Sequence, residues 1–224
     1  MKEAIHELLD QPGIWRANAP QRGPSPSTLD HVPSGFSALD SALPGGGFPD
    51  SALTEILHGA HGIGELRLVM PALARLSRSG RWIAMIAPPF VPYAPALAAQ
   101  GIDLSRLLIV HPHDRPQALW SIEQALRSGT CAAVMAWPER CDDRSLRRLQ
   151  LAAEAGNSVG MLFRDATAAR ERSPAALRLA LGESTGQQLN IRVLKCRGTP
   201  PGTVAVDSWS APPVRSQHPL PLEE

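Results

Sequence analysis

The residues Gly59-Ala60-His61-Gly62-Ile63-Gly64-Glu65-Leu66 follow a short apolar run ending near Leu57 and lead into a helix-patterned segment. Strand, Gly-x-x-x-x-Gly loop and helix form the layout that cradles phosphate. Its glycines let backbone N–H groups wrap an anion at a helix N-terminus, a lysine reaches the terminal phosphates, and a Ser or Thr hydroxyl holds magnesium. Here the lysine position holds Glu65 and the hydroxyl position holds Leu66. A carboxylate beside a polyphosphate turns attraction into repulsion, about 4 kcal/mol per unit-charge pair at about 4 Å and an effective dielectric of about 20. Two further parts of an NTPase are missing. The apolar segment 132–137 ends Ala136-Trp137-Pro138 without an aspartate for the metal, and 82–87 runs into Pro88-Pro89 without an acid to activate water. Phosphoryl transfer needs positioning, metal and charge neutralisation together. Gly59, Gly64, Glu65 and Leu66 are therefore expected to form a degenerate nucleotide loop, with no cofactor and no catalysis. Taken alone, Gly-x-x-x-x-Gly is a weak pattern, and the same glycines read more simply as those of a plain strand–helix turn.

Other chemistry-bearing residues are sparser. Arg164, Arg170 and Arg172, within RDATAARER, are candidates for contact with phosphate or an acidic partner, against the alternative of a solvated loop with local Arg–Asp and Arg–Glu pairs. His58 with His61 has no Cys, Asp or Glu set at ligand spacing, and His111 with His113 has Asp114 alone, so no metal site is expected. Cys131, Cys141 and Cys196 show no C-x-x-C spacing and lie in or beside apolar runs, which reads as buried hydrophobes in a reducing compartment. No Ser/His/Asp set with a nucleophile turn is present. Gln217 to Leu222 only weakly matches a sliding-clamp-binding peptide and reads more simply as a Pro-rich end.

These residues must be positioned by alternating elements. Strands are expected at 52–57, 82–87, 107–110, 132–137 and 158–163, each nearly continuous in apolar character, as parallel strands buried on both faces require. Helical stripes occupy 65–79, 116–127 and 143–155, closed by Gly80, Gly129 and Gly156. Alternation then changes to period two: Leu177, Leu179 and Leu181 against Leu189, Ile191 and Val193, with a turn near Thr185-Gly186. This predicts an antiparallel hairpin at the sheet edge, followed by a short strand at 203–206. The fold class is thus α/β, a central mostly parallel sheet flanked by helices with a C-terminal antiparallel hairpin. Residues 1–11 read as a short helix, either a partner-docking element or a flap. Residues 12–33 read as a Pro-rich linker, 34–207 as the domain and 208–224 as a mobile tail.

Composition removes whole classes. In 224 residues, 22 basic side chains face 21 acidic ones, net +1, so no global field attracts nucleic acid. The uncharged stretch 82–102 is long enough to span a bilayer but carries Pro88, Pro89, Pro92 and Pro95, so it reads as a short buried strand followed by a Pro-rich loop and no membrane span is expected. Residues 1–10 are charged and amphipathic, unlike a secretory leader, and a cytoplasmic location is expected.

A wider pattern surrounds the glycine loop. Ser34-Gly35, Leu39-Asp40, Leu43, Gly45-Gly46-Gly47, Pro49 and Glu55-Ile56 resemble the lead-in of RecA-type recombinases. The similarity continues through 93–110 and 117–129, covering roughly 34–195 in conserved order of elements. With the catalytic residues absent, the chain resembles the ImuA family of RecA-like accessory proteins of SOS mutagenesis, and is also similar to the division inhibitor SulA. The resemblance implies a RecA-like P-loop-type domain without ATP-driven filament chemistry. It implies contacts with ImuB or RecA and an error-prone DnaE-type mutasome polymerase in translesion synthesis. DNA would be met indirectly or through the arginines 164, 170 and 172, and stacking into a homo-oligomer is compatible with the fold. The SulA likeness implies action on FtsZ instead. A nucleotide-binding ATPase with an unusual loop is the remaining alternative.

Overall fold

A computed structural model describes residues 31–185, 188–196, 198 and 201–207. The expected N-terminal helix, nearly all of the linker and the tail lie outside the described residues. Ten strands are described: β1 (His31–Val32), β2 (Phe48–Pro49), β3 (Leu53–His58), β4 (Trp82–Ile86), β5 (Leu107–Val110), β6 (Cys131–Ala136), β7 (Val159–Asp165), β8 (Leu177–Thr185), β9 (Gln188–Cys196) and β10 (Gly202–Asp207). The helices are α1 (Ser37–Ala42), α2 (Glu65–Ser77), α3 (Ala94–Ala99), α4 (Arg115–Arg127) and α5 (Asp143–Gly156). Eight strands form one sheet in the order β10-β9-β8-β3-β7-β6-β4-β5. From β8 to β5 all pairs are parallel, and β9 and β10 continue antiparallel.

Side chains alternate between two cores, as the strand period demands. Ile56, Ile83, Met85, Ala133, Met135, Met161 and Phe163 face α1, α2 and the inner side of the hairpin. Leu53, Ala84, Ile86, Val134, Ala136 and Leu162 face α4 and α5, which contribute Ile122, Leu126, Leu146, Leu149, Ala152 and Ala153. Both long helices on this face are capped by aspartate. Asp114 accepts from the Gln117 N–H at 2.8 Å, and Asp142 from the Ser145 N–H at 2.8 Å.

The lead-in residues have structural work. Ser34 is fully buried and donates from its hydroxyl to Asp40 at 2.6 Å, closing α1 against the chain before it. Gly35 sits at φ +89° over Pro71, where a Cβ would lie 2.4 Å from the proline Cβ. A Cβ at Gly47 would lie 2.2 Å from the Val32 carbonyl oxygen, so the β1–β2 pairing requires glycine there.

Three expectations need correcting. The predicted hairpin is present, but β8 pairs in parallel with β3, and the edge is β10. The Pro-rich loop after β4 contains α3, because Pro95 falls in its first turn, where no N–H is needed. Gly156 does not stop α5. It is the last helical residue, and Asn157 makes the left-handed turn at φ +47°.

Candidate functional site

The glycine loop connects the end of β3 to the N-terminus of α2, at the rim of strand C-termini where open α/β sheets bind ligands. Gly62 and Gly64 have φ +82° and +111°, values that favour glycine, and they turn their N–H groups inward. Both donors are taken. Glu65, itself buried, folds back so that Oε1 accepts from the Gly62 N–H at 2.8 Å and Oε2 from the Gly64 N–H at 3.2 Å. A carboxylate in the first turn is also favoured by the helix dipole. The seat that a phosphate would occupy in such a cradle thus holds the chain's own anion. Leu66, partly exposed, offers no hydroxyl beside it, and the exposed Gly59 has open space where a Cβ would be.

The surroundings are apolar and aromatic. His58 is buried at the end of β3, with Nδ1 3.1 Å from the Ala60 carbonyl oxygen and Nε2 buried without a partner among the described residues. Its ring lies 4.9 Å from that of His61, which in turn meets Phe90 edge-on at 5.9 Å. Burial pushes the His58 pKa below its ordinary value, against the opposing pull of the Glu65 charge and the Ala60 hydrogen bond. After β6, Trp137 is buried and stacks on Phe163 at 4.6 Å, next to where a metal-binding acid was sought. Among the described residues no group of three His, Cys, Asp or Glu side chains could hold a metal ion. Burial raises all three cysteine thiols, Cys141 to about 11. Cys131 and Cys141 are buried, whereas Cys196 is only half-buried.

The three candidate arginines are not brought together on the surface. Arg170 and Arg172 are exposed, whereas Arg164 is buried. Its guanidinium donates to Glu55 at 2.5 Å, to Glu171 at 2.8 Å and to the Cys141 carbonyl at 3.0 Å. Burial opposes its charge, but the bonds to Glu55 and Glu171 outweigh that and raise its pKa. Glu55, with no exposed surface, also accepts from Arg178 Nε at 2.5 Å. One carboxylate on β3 therefore ties together both neighbouring strands, β7 and β8. Arg178 further holds the Ala168 and Glu171 carbonyls of the turn carrying Arg170. In the sequence Glu55 stands out only as part of the lead-in. The available signal was Glu55 within the apolar run 52–57, Arg164 directly after the apolar run 158–163, and Arg178 between Leu177 and Leu179.

The sequence is similar to known proteins over part of its length. The family profile described as "Cell division inhibitor SulA" matches residues 52–160, from β3 into β7. The SulA protein of Edwardsiella piscicida is 31% identical over 96 residues, 43% of this chain and 57% of that protein. The SulA protein of Pectobacterium atrosepticum is 27% identical over 136 residues, 60% of this chain and 81% of its own. The RecA protein of Chlorobaculum parvum is 33% identical over 105 residues, 46% of this chain and 30% of its own length. The chain thus spans little more than half of the Edwardsiella relative and under a third of this RecA. The chain is similar to SulA proteins, by the family profile over residues 52–160, and to RecA proteins over about half of its length.

Proposed function

We propose that this chain is a non-catalytic RecA-like protein of the SOS response that acts by binding other proteins and not by turning over nucleotide. The observation that carries this reading is the Glu65 carboxylate seated on the Gly62 and Gly64 N–H groups. An incoming phosphate must displace a charge-assisted contact and then sit beside the displaced anion, with no lysine to compensate. Two partner sets follow. The first is the mutasome: an adaptor joining ImuB or RecA to an error-prone DnaE-type polymerase during translesion synthesis. Its support is the RecA similarity together with the sheet continuing through β8–β10, beyond the span that matches the SulA profile.

The second reading is inhibition of cell division through FtsZ, and the SulA matches favour it at least as strongly. A pull-down of the full chain against RecA, ImuB and FtsZ, run beside overexpression in growing cells, separates the two. Retention of ImuB or RecA without filamentation supports the adaptor. Retention of FtsZ with filamentation supports the inhibitor. Retention of none of the three, with saturable ATP binding, overturns the protein-contact reading.

A further inference from the structure

On the face opposite α2, the first turns of α4 and the second turn of α5 leave a depression of about 410 Å³. It is lined by Arg115, Pro116, Leu119, Trp120 and Arg148. Trp120 is 60% exposed, an unusual amount of indole for solvent, while the neighbouring Leu119 packs against the core beneath. The rim is basic. Arg115 donates Nε to the Arg140 carbonyl at 3.2 Å, and its terminal nitrogens have no partner among the described residues. Arg148 and Arg127 share Glu123, and the nearby Asp142 is committed to capping α5.

We propose that this groove receives the chain's own C-terminal segment, Pro219-Leu220-Pro221-Leu222-Glu223-Glu224, in cis. Proline rings and leucines suit an exposed indole bordered by Pro116 and Leu119. The two glutamates complement Arg115 and Arg148. Reach permits it. β10 runs parallel to β8 and β3, so Asp207 leaves the sheet at the same rim at which α4 begins. From β10 to the β6–β4 region beneath α4 is about 24–29 Å at roughly 4.8 Å per strand, with the helix layer about 10 Å above. The residues 208–218 span up to about 36 Å. The inference does not depend on which partner the protein binds.

The test follows the Trp120 indole N–H resonance in the full-length ¹⁵N-labelled chain, assigned by its loss in Trp120→Phe. It is compared with a full-length chain carrying P219A, P221A, E223Q and E224Q. The proposal expects the resonance to shift in the altered chain, and a synthetic 217–224 peptide added to that chain to restore it. The peptide's affinity should fall at least about tenfold in Trp120→Ala, as for an aromatic anchor. An unchanged Trp120 resonance that the peptide does not move overturns the proposal. So does a shift that depends on protein concentration, which would place another copy's tail in the groove. Displacement of the peptide by oligonucleotide but not by salt would make the groove a nucleic-acid site and overturn it as well.

Discussion

Replacing Glu55 with glutamine leaves the shape of β3 almost untouched and removes one buried charge. In the native protein that carboxylate has no exposed surface and accepts from Arg164 and Arg178 at 2.5 Å each. Arg164 keeps Glu171 after the change, through a carboxylate whose side chain is 56% exposed. Among the described residues Arg178 keeps carbonyl partners alone, those of Glu171 and Ala168, and becomes a buried cation without a counter-ion. Removing one partner of a buried ion pair costs about 3–5 kcal/mol, whereas replacing the whole set by apolar residues of similar volume is often neutral or stabilising. In a domain of this size the single change should lower the melting temperature by roughly 6–20 °C. Urea unfolding followed by tryptophan fluorescence should show a lower midpoint with unchanged slope. The triple variant Glu55→Leu, Arg164→Met, Arg178→Met should recover most of the loss. A Glu55→Gln protein within about 1 kcal/mol of the parent, below the expected range, would refute the reasoning. A triple variant no better than the single would do so too.

Two further outcomes follow from the same geometry. Gly156→Ala should destabilise by about 1–3 kcal/mol through overpacking, because the new Cβ would lie 1.9 Å from the Leu126 carbonyl oxygen. An unchanged unfolding midpoint would show that α4 and α5 do not meet as described. His58 has a folded pKa below its ordinary 6.5, so the unfolded chain binds the proton more readily. Its contribution is therefore fully present above about pH 6.5 and is lost as the pH falls below it. His58→Gln should flatten the loss of stability between pH 7 and pH 5, measured by urea titrations at each pH. Equal slopes would contradict a buried neutral imidazole.

Much of this arrangement was legible because the strands β3, β4, β6 and β7 are buried on both faces and read as nearly continuous apolar runs, and because apolar stripes at helical spacing mark α2, α4 and α5. What escaped depends on contacts distant in the chain. Gly47 read as part of the lead-in and Gly156 as a stop signal, yet their lack of a Cβ answers to Val32 and Leu126. Arg164 read as a surface arginine because nothing in its local sequence shows Glu55, more than a hundred residues earlier, beside it. Glu65 was legible as the wrong charge for a phosphate loop. That its carboxylate would turn inward and use the loop's own donors required the left-handed turns at Gly62 and Gly64.

Isothermal titration of the full chain with ATP, with and without magnesium, bears most directly on that last point. If Glu65 occupies the cradle and no lysine or metal-binding acid replaces what is missing, titration up to about 1 mM ligand will show no saturable heat, an affinity weaker than about −4 kcal/mol. Saturable micromolar binding of ATP would mean that the carboxylate yields its seat, and that the loop is a working nucleotide site after all.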